Sequence, residues 1–401
     1  MVSGRRLAVL LLAAGLAVRL AYSWHGQRTA AIPTSVDQYE DIARNLLDGK
    51  GYSIIPGVPT ARREPAYPLF IAAVYALGGG PGMLVILFCL MSTAAAAMAG
   101  LLARRLAGDK AGLIALAICA FHPQLVYYSA YMFRDTFLVF LFAGMCLASS
   151  WWSAKPGDRA GERAAFAGGL AAAGLGTGNS AHLPALALAG IGLWFAAPPA
   201  ARLRRFALYV GPLLLAFGLW SARNAVVFGR FVPGSTHGGT EFYQALVVPP
   251  EDLGTPRQTE ILTADPIFTA ALPLPEAERA SVLARAGFRW IAANPATYAG
   301  RALVGFTKFW RPWPYKRAYH HSYALLVAAS LLSDLWLVPL ALFGLWSLRG
   351  RWREAPAVWA GVIGLTVVYG AVHAVIRYRL PLVPACAALA AIVLVGKRKS
   401  A

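Results

Sequence analysis

Long runs of apolar residues alternate with short polar gaps along most of this chain. Ten of the runs approach the length of about 20 residues that a helix needs to cross a bilayer. They cover residues 7–24, 83–103, 111–128, 136–153, 164–176, 181–197, 206–222, 323–348, 358–375 and 380–395. The pattern predicts an all-α integral membrane protein with about ten transmembrane helices.

Composition supports this class of protein. Of the 401 residues, 58% are hydrophobic and only 14% are charged, which is unlike a soluble domain. The net charge of +19 does not indicate nucleic acid, because basic residues gather in alternate gaps between apolar runs, as they do in cytoplasmic loops. These gaps contain Arg104, Arg105 and Lys110; Lys155, Arg159 and Arg163; Arg202, Arg204 and Arg205; Arg349, Arg351 and Arg353; and Lys397, Arg398 and Lys399.

The gaps on the opposite side are then extracytoplasmic, and two of them are long. They span about 25–82 and 223–321 and contain nearly all the remaining acids, together with helical patterns at 275–293 and 295–310. Neither is large enough for an independent domain. We therefore expect one membrane domain over 1–401 with amphipathic surface helices on its outer face.

The first outer loop concentrates carboxylates, aromatics and paired arginines between residues 35 and 69. Helical spacing over 37–47 predicts a short amphipathic helix along the bilayer, with Asp37 in its first turn. Ser35 with Gln38, or Asp37 with Glu40, has the spacing of a capping box.

No motif for a soluble cofactor is present. The chain lacks a phosphate-binding P-loop, a dinucleotide fingerprint, an HExxH pair and a serine nucleophile elbow, and its histidines have no metal-ligand spacing. We predict no cofactor and no metal site. An outward-facing enzyme without a nucleotide site needs an activated substrate already held in the membrane, such as a sugar on a polyprenyl phosphate.

Five segments resemble a known family. They are DQYEDIARNLLDGKGY, RREPAYPLFIAAVYALGG, FHPQLVYYSAYMFRDTF, RNAVVFGRFVPGSTHGG and, near the end, RYRLPLVP. In their order they are similar to the family 39 type of GT-C glycosyltransferases, which includes protein mannosyltransferases and the lipid A aminoarabinose transferase. The resemblance extends through about residue 239 and is thin beyond it. Some enzymes of this architecture use divalent cations, but no acid cluster in this chain demands one.

The resemblance implies an inverting single displacement from a polyprenyl-phosphate sugar to an acceptor glycan, lipid or protein. The Ala, Gly and Arg richness is typical of a high-GC bacterium, so the expected location is the inner membrane, with membrane lipid around the helices and the site facing the periplasm.

Two acids match the family's outer-loop acids. Asp37 is the candidate general base, since an acceptor hydroxyl needs a carboxylate to take its proton as the new bond forms; the plain alternative is a helix cap. Asp135 is expected to orient the acceptor or support Asp37; its alternative is an ordinary acid at a helix start beside Arg134.

Cations beside the leaving phosphate would stabilise its negative charge, and the planar guanidinium of arginine matches the phosphate oxygens. Arg63 and Arg223, the latter followed by Asn224, match basic positions of the family, and Arg62 is a further candidate beside Arg63; snorkelling at the interface is their alternative.

Glu64 is either an extra site acid or a partner of the neighbouring arginines. A basic and aromatic segment adds Arg301 and Lys308, which fit either a lipid phosphate or an interfacial belt. Arg377 either contacts the phosphate or anchors the last helix. The remaining candidates for substrate binding are Tyr67 and His237.

Two rival functions remain open at this stage. A transporter or flippase for a lipid-linked glycan would share the spans and the basic cavity, but it should show internal repeats with broken helices. A glycan polymerase or ligase would rely on the late outer loop and His237 instead of Asp37.

Overall fold

The computed structural model describes residues 4–28, 37–314 and 323–396. In these ranges the chain forms eighteen α-helices and no β-strand. Up to residue 228 the helices are α1 (Gly4–Arg28), α2 (Tyr39–Leu47), α3 (Ala66–Ala76), α4 (Pro81–Ala107), α5 (Asp109–Phe121), α6 (Pro123–Ser129), α7 (Asp135–Ser149), α8 (Arg159–Gly178), α9 (Leu183–Ala196) and α10 (Pro199–Phe228).

The second half begins with five surface-type helices and ends in three apolar ones. They are α11 (His237–Val247), α12 (Pro256–Ala264), α13 (Pro266–Ala271), α14 (Glu276–Ala293), α15 (Pro295–Trp310), α16 (Tyr323–Ser347), α17 (Pro356–Ala371) and α18 (Val383–Val395). Short 3₁₀ segments occupy Ser180–His182, Arg349–Glu354 and Ile376–Leu382. The two predicted helical patterns of the late outer loop, 275–293 and 295–310, are confirmed.

Every predicted apolar run falls on a helix or a pair of helices, and the all-α prediction is confirmed. Ten spans are not confirmed. Among the described residues, five helical segments are long and apolar enough to cross a membrane, and a sixth is counted if α5 and α6, which meet at 52°, form one broken span. The helices α7, α9 and α17 have only 15, 14 and 16 residues, which is short of the usual span of about 20.

The apolar helices pack around a core rich in small residues. The helix α4 packs on α5, α8 lies between α7 and α10, and α16 packs on α18. At Gly169 the backbones of α8 and α10 approach so closely that an added Cβ atom would lie 2.6 Å from the Leu208 carbonyl oxygen. Such close contacts between small residues drive helix association in lipid, where burial of apolar surface contributes little.

One charged cluster lies inside the apolar bundle. Asp334 of α16 is 1% exposed and accepts hydrogen bonds from Arg379 (2.8 Å) and Gln124 (2.7 Å). His122, at the break between α5 and α6, lies 3.3 Å from the other carboxylate oxygen. Arg379 also donates to the Phe309 carbonyl oxygen at 2.7 Å. The cluster therefore ties α15, α16, the α5–α6 break and the segment Ile376–Leu382 together.

The substitution Asp334→Leu should lower the free energy of unfolding by about 3–5 kcal/mol, because it leaves the buried Arg379 without a counter-charge. Replacing both partners, as Asp334→Leu with Arg379→Met, should recover most of this loss. Thermal unfolding of the purified protein in detergent measures the effect, with the exposed Asp48→Leu as the control. Equal losses in the single and double variants would contradict this account of the cluster.

Candidate functional site

The chain enters α2 through two residues in a left-handed backbone conformation. Asp37 and Gln38 have φ angles of 62° and 67°, a region that non-glycine residues occupy at a cost of roughly 1–3 kcal/mol. The helix begins only at Tyr39, and Gln38 makes no side-chain cap hydrogen bond. The predicted placement of Asp37 in the first turn and the Asp37–Glu40 capping box are therefore wrong. Ser35 lies outside the described residues.

The Asp37 side chain contacts Arg63. Nε of Arg63 donates to the Asp37 carbonyl oxygen at 2.9 Å, and its Nη2 lies 3.3 Å from the Asp37 carboxylate. The side chain of Arg63 is only 9% exposed, whereas that of Asp37 is 39% exposed. The left-handed turn thus presents one face of the Asp37 carboxylate to a buried cation and leaves the rest open to a substrate.

Arg63 is itself held by the loop between α2 and α3. Tyr52 donates its hydroxyl hydrogen to the Arg63 carbonyl oxygen at 2.9 Å. The guanidinium carbon of Arg63 lies 5.2 Å from the ring centre of Tyr39, a cation–π distance. Burial raises the pKa of Tyr39 to about 12, so its phenol stays neutral near pH 7.

A second ion pair lies beside the first. Arg134 contacts Glu64 at 3.2 Å and donates to the Gly178 carbonyl oxygen at 3.1 Å. Glu64 also accepts hydrogen bonds from the backbone nitrogen and the hydroxyl of Ser180, at 3.1 and 2.8 Å. Of the two interpretations of Glu64, partnership with an arginine describes its contacts, but the partner is Arg134 and not Arg62 or Arg63.

The third pair joins Asp135, at the start of α7, to Arg377. The Asp135 carboxylate lies 3.7 Å from Nε of Arg377. That Nε is buried and has no hydrogen-bond partner among the described residues. Asp37 lies within electrostatic range of both side chains. The structure therefore gathers Asp37, Arg63, Asp135 and Arg377, four of the residues predicted from sequence, in one cluster.

An apolar groove of ≈ 540 Å³ leads to Arg377. Its walls come from α1, the α5–α6 break, α16 and the start of the last 3₁₀ segment. They include Tyr22, Pro123, Leu325 and Ile376, and Arg377 is the charged residue among the described residues of the lining.

A polar cleft of ≈ 320 Å³ lies on the Arg63 side of the cluster, between the 60–62 loop and helices α11, α13 and α14. Its charged and polar walls include Arg62, His237, Glu241, Gln244, Glu276 and Arg279. His237 lies 3.2 Å from Glu241. Burial lowers the pKa of His237 to about 4, so the imidazole is neutral at pH 7.

The remaining predicted residues lie apart from the cluster. Arg223 donates to the Thr60 and Tyr52 carbonyl oxygens at 2.8 and 3.3 Å, so it fixes the loop behind Arg63. Asn224 is fully buried and binds the Val232 carbonyl oxygen.

Three further candidates make contacts with other parts of the chain. Arg301 donates to the backbone carbonyl oxygens of Leu246 and Val248. Lys308 is buried beside Arg301 in a separate small pocket. Tyr67 is completely buried with its ring edge-on to Tyr39.

Sequence reasoning missed Tyr39, Arg134 and Ser180. Only Arg134 carried a signal, since it precedes a candidate acid. Within the described ranges no three His, Cys, Asp or Glu side chains come together as a bound metal ion requires.

No protein-family model and no curated protein matches this chain. Among solved structures, the apo oligosaccharyltransferase of Archaeoglobus fulgidus is similar over 97% of this chain and 50% of its own length, with 12% identity and a TM-score of 0.57. The archaeal oligosaccharyltransferase AglB of the same organism, in complex with an inhibitory peptide and a dolichol-phosphate, covers 98% of this chain and 50% of its own, with 11% identity and a TM-score of 0.51. ArnT from Cupriavidus metallidurans covers 94% of this chain and 76% of its own at 15% identity, with a TM-score of 0.43.

The two oligosaccharyltransferase matches show the fold. This chain spans about half the length of those enzymes. It has the membrane fold found in these transferases of lipid-linked glycans.

Proposed function

We propose that this protein transfers a sugar from a polyprenyl-phosphate donor to an acceptor on the extracytoplasmic face of a bacterial inner membrane. The observation that carries the proposal is an apolar groove ending at a half-buried arginine with an unused N–H, in the same cluster as a strained, arginine-paired aspartate. The GT-C assignment of family 39 type, suggested by the sequence segments, fits this arrangement.

The groove suits the lipid part of such a donor. A polyprenyl chain is a hydrocarbon, and the groove is lined almost wholly by apolar and aromatic side chains. Its phosphate would meet Arg377, whose Nε has an unmet hydrogen bond, and charge-assisted bonds to phosphate are among the strongest that arginine makes. The archaeal enzyme with the same fold was solved with dolichol-phosphate, a lipid of this class.

The reaction needs one base and one stabilised leaving group. The acceptor hydroxyl attacks the anomeric carbon while Asp37 takes its proton, and the bond from that carbon to the phosphate oxygen breaks with its electron pair remaining on the phosphate. Arg63 holds the Asp37 carboxylate in place through its contact at 3.3 Å. Arg377 stabilises the charge that grows on the phosphate.

Asp135 then has a definite place in the cycle. Without donor it supplies the counter-charge of Arg377, at 3.7 Å. The donor phosphate brings its own negative charge to the same guanidinium, so Asp135 is positioned to compete with it and to receive Arg377 again after product release.

A flippase for the same lipid would share the groove, and the bent pair α5–α6 is one feature such proteins use. Lipid movement does not account for Asp37, whose backbone is left-handed and whose carboxylate contacts Arg63. We therefore favour transfer.

The substitution Asp37→Asn should preserve folding and donor binding but reduce transfer about 10²–10⁴-fold, the usual contribution of a general base. The measurement is release of polyprenyl phosphate from labelled polyprenyl-phosphate sugars, with bacterial membranes as the source of acceptor. Asp41→Asn changes an exposed acid of the same helix and should leave the rate unchanged. A folded Asp37→Asn protein with full transfer activity contradicts the assignment; continued lipid movement without any transfer by the native protein favours the flippase.

The substitution Arg377→Gln should weaken binding of undecaprenyl phosphate by about 10- to 100-fold, because a charge-assisted hydrogen bond contributes about 1.5–3 kcal/mol. The change in intrinsic fluorescence on titration of the lipid in detergent reports the affinity. Arg353→Gln, at an exposed arginine away from the groove, is the matched control. If both variants bind the lipid as the native protein does, the groove is not the donor site.

A further inference from the structure

In the polar cleft beside Arg63, the two acids already have hydrogen-bond partners, whereas the two arginines pair with no acid that the structure describes. Glu276 accepts hydrogen bonds from the Thr60 hydroxyl and the Ala61 backbone nitrogen, both at 2.8 Å, and from the Thr236 hydroxyl. The acceptor capacity of Glu276 is therefore largely used in fixing the 60–61 loop to α14.

Glu241 is occupied by two imidazoles. It lies 3.2 Å from His237 and 3.8 Å from His373. Burial opposes its ionisation, but the nearby His373, His237 and Arg63 outweigh burial and hold the pKa of Glu241 below its usual value. It stays anionic at neutral pH and committed to these neighbours.

The two arginines of the cleft are not committed in this way. The side chain of Arg62 has no hydrogen bond or ion pair to any residue in the described part of the chain. Arg279 donates from Nη1 to the Leu272 carbonyl oxygen at 3.0 Å and pairs with no acid there. Both line the same cleft, whose two acids already have other partners.

Electrostatics favour an added anion at this position. Partial burial lowers the pKa of Arg62, and the charges of Arg63 and Arg279 lower it further, while Glu276 and Glu241 act in the opposite direction. A bound anion would relieve this repulsion, and the planar forks of two arginines match the oxygens of a phosphate or carboxylate. The cleft also offers Thr240 and Gln244 for hydroxyl groups.

The cleft and the apolar groove reach the Asp37 cluster at two different residues. The groove ends at Arg377, while the cleft adjoins Arg63, whose charge acts on both His237 and Glu241. A molecule in the cleft is thus close to Arg63, which holds the proposed base, and it is outside the lipid groove, as an acceptor must be.

We propose that this cleft is the acceptor site and that it selects a hydrophilic acceptor carrying an anionic group, a phosphate or a carboxylate, which Arg62 and Arg279 bind together. The identification of the bound molecule as acceptor depends on the proposed transfer function; the presence of an anion site does not.

Binding of two soluble probes tests the site in the purified full-length protein. Inorganic phosphate represents a phosphate group and glucuronate represents a carboxylate, each titrated by calorimetry in detergent with undecaprenyl phosphate present at saturation. We expect at least one probe to bind, and Arg62→Gln or Arg279→Gln to weaken it about tenfold or more. The probe that binds more tightly identifies the anion. Arg285→Gln, an exposed arginine on the same helix as Arg279, should change nothing.

The outcomes separate this proposal from the preceding one. Undecaprenyl phosphate should bind equally well to the native, Arg62→Gln and Arg279→Gln proteins, which also shows that the variants are folded. Arg377→Gln should leave probe binding intact. The anion site is overturned if neither probe binds, if binding ignores both arginines, or if the lipid phosphate displaces the probe. If the lipid itself does not bind, the donor assignment fails, and the probe titrations without lipid still decide the anion site.

Discussion

The contact between Arg63 and Asp37 is the constraint on which the site depends. A guanidinium that is 9% exposed needs a counter-charge close by, and the nearest carboxylate belongs to a residue that must adopt a left-handed backbone to reach it. The backbone carbonyl oxygen of Asp37 is held by the same side chain. Because carbonyl and carboxylate bind one guanidinium together, the unfavourable turn at residues 37 and 38 is compensated locally.

The pairing of an arginine with a nearby carboxylate is repeated across the cluster. Arg134 has Glu64 and Arg377 has Asp135, so each of the three arginines Arg63, Arg134 and Arg377 has its own acid. Tyr39 lies between two of them, with the guanidinium carbons of Arg63 and Arg134 at 5.2 and 5.9 Å from its ring centre. The apolar groove meets this array at Arg377, whose acid is also the most distant of the three. The pair with the longest separation is thus the one that a phosphate would have to disrupt.

Much of the fold follows from hydrophobic periodicity, because a helix that faces lipid or a tightly packed core must be apolar over most of its length. The apolar runs located every membrane helix and helix pair, and the patterns at 275–293 and 295–310 located two surface helices. The number of membrane spans did not follow from this periodicity. The helices α7, α9 and α17 are too short to count as spans on length alone, and α5 bends into α6. Asp37 and Asp135 could be selected because acids are rare at span ends.

The pairing of these acids could not be predicted. The sequence favoured Arg223 as a phosphate ligand, but the hairpin-like loop over 52–60 lies across it and uses its donors. The capping box failed because a helix start depends on the φ angles of two residues, and tertiary contacts with Arg63 decided those angles. Ser180 and Glu64 are 116 residues apart, a separation at which local patterns carry no information.

The most direct test of this account is a cryo-EM structure of the full-length protein in a lipid nanodisc with undecaprenyl phosphate. We expect the phosphate within hydrogen-bonding distance of Arg377, the isoprenoid chain along α1, α6 and α16, and the Asp37 carboxylate still paired with Arg63 and facing the phosphate. Lipid density at another part of the bundle, with the groove empty and Asp37 turned away from it, would contradict the central claim.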